Sequence, residues 1–193
     1  MGSQALRGDS VATTSGMIFR KTKLKGSYLI ELEPKSDDRG FLARSFCRKE
    51  FIQHGLNGKL VQTSISFNRR KGTLRGMHYQ AAPHKEVKVV RCTRGAIYDV
   101  IVDIRRRSET FGQWISNVMT QENRRMLYIP EGFAHGFQTL ADNTEILYYM
   151  SDYYAPSSSC GFRWNDPRFK IKWPEFKYRT LSQKDRVYPN FQA

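Results

Sequence analysis

The stretch Val87-Lys88-Val89-Val90-Arg91-Cys92, followed by Arg94-Gly95 and then Ala96-Ile97-Tyr98-Asp99-Val100-Ile101-Val102-Asp103-Ile104, decides the fold. Two runs rich in β-branched residues, each of strand length, flank a glycine turn; this is the pattern of adjacent strands rather than of an amphipathic helix. Working outward, similar segments occur at Ser27–Leu32, Leu60–Phe67, Gln113–Met119, Met126–Ile129, Gly136–Leu140 and Glu145–Met150. Turn residues separate them at Asp38-Arg39-Gly40, Lys71-Gly72, Pro130-Glu131-Gly132 and Asp142-Asn143. Short strands at this spacing predict an all-β sandwich, jelly roll or barrel. Helical periodicity is confined to Arg48–His54 and a turn near Thr120–Arg124 with Thr120 as its cap. From Trp164 onward, Pro167, Pro174 and Pro189 predict an irregular wrap over the barrel.

A chain of 193 residues suits one domain, expected over residues 17–193. The polar, glycine- and serine-rich opening, residues 1–16, reads as a disordered arm or a cloning remnant and has no apolar core of a secretion signal. No run approaches the ~18 apolar residues of a spanning helix, so no membrane partner is expected. Cys47, Cys92 and Cys160 lie far apart, without a CxxC pair. They fit free thiols in a reducing compartment, hence a cytoplasmic protein. The net charge of +14 attracts anions, whether nucleic acid, anionic membrane or phosphorylated small molecules. The charge is dispersed over Lys21/Lys23/Lys25, Arg69-Arg70-Lys71, Arg105-Arg106-Arg107 and Arg124-Arg125, with no basic tail and no nucleic-acid-binding signature. Any one of these clusters is as well explained by a solvated surface.

Three segments carry candidate chemistry. In Leu74-Arg75-Gly76-Met77-His78-Tyr79-Gln80, a cation and a titratable ring stand three apart. On a regular strand they would face opposite ways, unless Gly76 bends the chain. In Ile129–Phe137, a Pro-x-Gly turn delivers His135 to the start of a strand. His78 and His135 are too few nitrogen ligands for an ordinary catalytic metal, so no metal is expected. In Glu145–Tyr154, Tyr148 shares a strand face with Ile146, opposite to Leu147 and Tyr149. Each segment alone has a structural explanation: a strand histidine is more often packing than catalysis, and barrel tyrosines commonly pack their rings.

Taken in order along the chain, the landmarks are Asp38-Arg39-Gly40-Phe41, Gly72–Gln80, Lys88–Cys92, Asp99–Arg105, Phe111-Gly112-Gln113-Trp114, Ile129–Phe137, Trp164-Asn165-Asp166-Pro167 and Leu181-Ser182-Gln183-Lys184-Asp185. This ordered set resembles the RmlC family of dTDP-4-dehydrorhamnose 3,5-epimerases over roughly residues 17–190. The resemblance implies a cupin-type jelly-roll β-barrel with short peripheral helices. It implies a homodimer, with neither metal nor organic cofactor, acting on a nucleoside-diphosphate sugar in deoxysugar and surface-glycan synthesis. By motif position, His78 matches the family's base, Tyr148 its acid and Asp185 the carboxylate that orients the histidine. Lys88 and His135 match residues around the reacting sugar, and Arg39, Arg75 and Lys184 match substrate-binding positions. Gln62 opens a stretch that reads Gln-Asp-Asn in the family and Gln62-Thr63-Ser64 here, and Tyr154 is an alternative acid.

Such residues suit the implied reaction. A 4-keto group acidifies the hydrogens on C3 and C5, and a base near neutrality removes one. A carboxylate behind the imidazole fixes its tautomer, and a cation stabilises the enolate oxygen. Inversion needs an acid on the opposite face of the sugar. Arginines fork onto a pyrophosphate. Arg44 and Ser159 stand where the family usually carries Glu; these two positions and the Gln62 stretch lie where substrate contacts are expected. Arg44, Gln62 and Tyr154 are thus taken as substrate-binding, and the reaction type is expected to carry over better than the sugar or nucleotide. The competing readings are 3,4-ketoisomerisation of the same substrate class, and a non-catalytic binder of sugar nucleotides or nucleic acid.

Overall fold

A computed structural model describes residues 16–192. The expectation for residues 1–15 therefore lies outside the described residues, while Gly16 donates its backbone N–H to Glu33. The strands are β1 (Met17–Lys21), β2 (Tyr28–Leu32), β3 (Lys35–Asp37), β4 (Gly40–Leu42), β5 (Gln62–Asn68), β6 (Leu74–Gln80), β7 (Lys88–Arg94), β8 (Ala96–Asp103), β9 (Trp114–Thr120), β10 (Met126–Ile129), β11 (Phe133–Thr139), β12 (Thr144–Met150) and β13 (Ser159–Gly161). Two short helices, α1 (Arg48–Gln53) and α2 (Gln183–Val187), accompany them.

One sheet runs β1-β2-β10-β7-β12-β5 and the other β13-β6-β11-β8-β9, while β3 and β4 form a separate hairpin. Every strand pair within these sheets is antiparallel, and the two large sheets pack face to face as the jelly roll. Alternation explains the layering. Val90, Cys92, Leu127 and Ile146 from one sheet meet Ile97, Ile101, Phe133 and Phe137 from the other in the central core. The outer face of the larger sheet is closed by Phe51 of α1 packing with Val87, Val89 and Tyr128. The outer face of the smaller sheet carries Leu74, Met77, Val100 and Val102, covered by Phe162, Phe169 and Trp173. Because each sheet is packed on both faces, β8 reads as a nearly continuous apolar run.

The predicted strands stand at their predicted places, with ends moved by at most three residues and Met126–Ile129 unchanged. The largest change is β11, which begins at Phe133 and takes His135 into its interior. Near Thr120 the chain makes the expected turn, closed by the Arg124 N–H donating to the Thr120 carbonyl, and the Thr120 hydroxyl caps it by accepting from the N–H groups of Glu122 and Asn123. The tail does wrap the barrel, joined to it by a bridge between Thr73 and Thr180, but it also contains α2. The Ser182 hydroxyl caps α2 by accepting from the Asp185 N–H, and a five-residue helix within a proline-rich tail leaves too short a period to read. The three cysteines are free thiols. Among the described residues, no helix is long and apolar enough to cross a membrane.

Candidate active site

The Leu74–Gln80 strand reaches the site by breaking its own alternation. Along β11, His135 pairs with His78 and Phe137 with Arg75, so three residue steps on β6 oppose two on β11. The extra residue lies at Gly76. Its φ is 137°, and a Cβ there would stand 2.6 Å from the Cα of Gly136, so glycine is required on both counts. Leu74, Met77 and Tyr79 consequently face the outer layer, while Arg75, His78 and Gln80 line one cleft.

That cleft has a volume of about 360 Å³ and also receives Lys88 from β7, Tyr154, Ser159, and Lys184 and Asp185 from α2. His78 Nε2 donates to Asp185 Oδ1 at 2.5 Å, which leaves Nδ1 as the available basic nitrogen. The Ser182 hydroxyl donates to Asp185 Oδ2 at 2.8 Å. Burial pushes the Asp185 carboxyl up, but the hydrogen bond and charge of His78, the Ser182 hydroxyl and the Gly76 N–H together hold it below the usual carboxylate range. Lys88 Nζ lies 3.0 Å from Glu86 Oε1. Arg75 Nε donates to Asn68 Oδ1 at 2.8 Å, and Lys184 Nζ donates to Ser159 Oγ at 3.4 Å.

His135 and Tyr148 lie deeper in the barrel. His135 Nε2 bonds Asp99 Oδ2 at 2.7 Å, with both side chains buried, and its ring meets that of Tyr148 edge-on at 6.0 Å. Burial pushes the Tyr148 hydroxyl strongly up, the Asp99 charge adds to this, and Arg75 pulls it back. The hydroxyl therefore keeps its proton throughout the range in which an imidazole acts as base. His78 and His135 belong to the smaller sheet, whereas Lys88 and Tyr148 belong to the larger one, so the candidate base and acid come from opposite walls.

Besides His135 and Tyr148, three further predicted site residues are not brought to the cleft wall. Arg39 sits in the turn between β3 and β4, its exposed guanidinium 2.6 Å from Asp37. Arg44 pairs with Glu50 of α1 at 2.6 Å. Gln62 accepts from the Tyr154 N–H at 3.0 Å and so acts on the cleft through its neighbour. Sequence reasoning missed Glu86, Asn68, Asp99 as a partner of His135, and Gln80. Gln80 donates to the carbonyls of His84 and Tyr153 and accepts from the Ala155 N–H, which holds Tyr154 at the rim. Glutamine ending the Leu74–Gln80 segment was the available signal for Gln80; for Glu86 and Asn68 nothing local distinguishes them from surface residues. No group of three or more potential metal ligands occurs among the described residues.

Comparison with known proteins identifies the family and the fold. The dTDP-4-dehydrorhamnose 3,5-epimerase family profile matches residues 21–193. The dTDP-4-dehydrorhamnose 3,5-epimerase of Salmonella typhimurium is 41% identical over 174 residues, which is 90% of this chain and 94% of that protein. The crystal structure of the Bacillus anthracis dTDP-4-dehydrorhamnose 3,5-epimerase with TDP and PPi bound superposes with a TM-score of 0.88 at 38% identity, covering 91% of this chain and 100% of that one. A 3′-monoepimerase from Streptomyces bikiniensis, solved with dTDP as a double mutant with His replaced by Asn and Tyr by Phe, superposes with a TM-score of 0.83 at 30% identity, covering 89% of this chain and 86% of that one. The chain belongs to the dTDP-4-dehydrorhamnose 3,5-epimerase family, and is by that membership an isomerase.

Proposed function

We propose that this epimerase inverts C3, C5 or both of a nucleoside-diphosphate 4-keto-6-deoxyhexose, with His78 as base and Tyr148 as acid. The observation that carries the reading is the placement of the His78–Asp185 pair and Tyr148 on opposite sheets of one barrel. Proton removal from one face and return from the other is what inversion requires. His78 Nδ1 takes the proton, and Asp185 stabilises the imidazolium that forms. The Lys88 ammonium stabilises the enolate oxygen, and the Tyr148 hydroxyl returns a proton. Arg75 and Lys184, on the cleft wall, supply positive charge for the diphosphate. Further support comes from the monoepimerase double mutant, whose altered His and Tyr are as far apart in sequence as His78 and Tyr148.

The test is incubation with dTDP-4-keto-6-deoxyglucose in deuterated water, with NMR reading which carbons gain deuterium. Deuterium at C3, C5 or both with inverted configuration is expected. Sugar product with the keto group moved to C3 would favour 3,4-ketoisomerisation, and no incorporation at all would defeat the reading.

The enzyme acts, in this reading, as a cytoplasmic homodimer that feeds deoxysugar and surface-glycan synthesis and uses no metal or organic cofactor. Support for self-association comes from Ile65 and Phe67, which stand exposed on the edge strand β5. Sedimentation equilibrium should give twice the chain mass. A monomer would remove this part of the proposal.

A further inference from the structure

The cleft holds two carboxylates, each set behind a group of opposite chemistry. The Asp185 side chain is 5% exposed behind His78 at 38%, and the Glu86 side chain is 7% exposed behind Lys88 at 16%. In both pairs the carboxylate is the deeper member and its nitrogen partner is the one presented to the cleft. The local backbone explains why Glu86 points this way. Val87 N–H donates to Ser151 Oγ at 2.8 Å, the Ser151 N–H donates to Val87 O at 3.0 Å, and the Val87 side chain is buried in the outer layer. Pinned extended backbone at Val87 sends its two neighbours, Glu86 and Lys88, to the opposite face, where both line the cleft.

An ammonium on a flexible four-carbon stem loses hydration in such a site and has many rotamers to choose from. A buried charge of this kind needs a partner, and breaking the pair leaves it uncompensated. Lysine has three N–H donors, so one can be held by Glu86 Oε1 while others remain for a substrate oxygen. We infer that Glu86 is a positioning residue that holds the Lys88 ammonium at the place where the enolate oxygen develops, as Asp185 holds His78. This rests on the role given to Lys88 above. Neither the family resemblance nor the comparisons assign a role to Glu86.

The experiment is a double-mutant cycle on the intact chain, with Glu86→Gln, Lys88→Met and the double variant, read by single-turnover deuterium exchange at high enzyme concentration. Glu86→Gln is expected to lower the exchange rate about 10- to 100-fold with KM changed less than about threefold, because misplacing a group by ~1 Å costs rate more than binding. In the Lys88→Met background the same change should cost nothing further. A second readout needs no turnover: the ¹H–¹⁵N ammonium resonance of Lys88, slowed in exchange by its ion pair, should broaden away in Glu86→Gln. A Glu86→Gln effect that is undiminished in the Lys88→Met background, or an unchanged Lys88 resonance, would overturn the inference. Failure of the parent to exchange any 4-keto sugar would instead defeat the epimerase reading of the substrate, and the resonance would still decide whether Glu86 holds Lys88.

Discussion

His135 and Asp99 form a second imidazole–carboxylate pair, 2.7 Å apart and buried in the barrel, directly beside the ring of Tyr148. The other carboxylate oxygen, Asp99 Oδ1, has no hydrogen-bond partner among the described residues, and the Asp99 charge bears on the tyrosine beside it. After burial, it is the main influence holding the Tyr148 proton in place, and Arg75 opposes it. Asp99→Asn should therefore bring the Tyr148 hydroxyl down, and Arg75→Met should move it further up. A ¹³Cζ-tyrosine NMR titration reads both directions. Identical Tyr148 titration in parent and Asp99→Asn would show that burial alone sets its acidity.

His78→Ala should abolish proton exchange at the carbons beside the keto group while the nucleotide sugar still binds. Removing a general base costs about 10² to 10⁴ in rate. Asp185→Asn should lose much of the same activity, since the amide can present the wrong hydrogen-bonding atom to His78 Nε2. The pair also contributes to stability with a defined sign. Asp185 is held below its usual value, so its contribution is complete above about pH 4 and is lost as pH falls through the lower folded value. Acid melting curves of the parent should converge on those of Asp185→Asn at low pH; a constant separation would contradict the assignment.

Tyr148→Phe removes the hydroxyl and keeps the packing of the ring against the central core. Inversion should fall far more than proton removal, leaving deuterium that washes in with retained configuration. If the variant inverts at the parental rate, the acid is another group, and Tyr154 on the cleft wall is the next to replace.

Gly76→Ala should both unfold and disarm the protein. The alanine Cβ would meet the Gly136 Cα at 2.6 Å with φ at 137°, a combination of strain and clash costing about 2–4 kcal/mol. Chemical denaturation would measure the loss, and any folded fraction should have low exchange activity because Arg75 and His78 no longer share a face. Parental stability in Gly76→Ala would mean that the bulge is not enforced here.

Arg44 and Ser159, the two positions that depart from the family pattern, should separate in their effects. Arg44 ties the segment after β4 to Glu50, and Glu50 in turn accepts from the Met17 N–H, so Arg44→Glu sets two carboxylates together and should lower the melting temperature. Ser159 lines the cleft beside Lys184, so Ser159→Glu should change KM among dTDP-, CDP-, UDP- and GDP-linked 4-keto-6-deoxy sugars. Should Arg44→Glu shift nucleotide preference at unchanged stability, its place is at the substrate rather than at α1.

The amino-acid sequence by itself determined the all-β fold and the positions of the core strands, though not β1, β3, β4 or β13, because β-branched runs of strand length and glycine turns are local signals that need no partner to be read. It also placed His78, Tyr148 and Asp185 in their family motifs, and Lys88 at the head of a strand. Only the tertiary structure decided which side chains share a space. Regular alternation would have parted Arg75 from His78, and the bulge at Gly76 reunites them only because Gly136 passes close on the next strand. The Asp185–His78 pair, which the family resemblance already implied, and the Asp99–His135, Glu86–Lys88 and Arg44–Glu50 pairs take their geometry from the folded chain. The first two join residues distant in sequence. The last two are near in sequence, but the direction of each side chain depends on the elements packed around it. Pairing of this kind is set by sheet register and by the burial of neighbouring residues, which no local periodicity encodes.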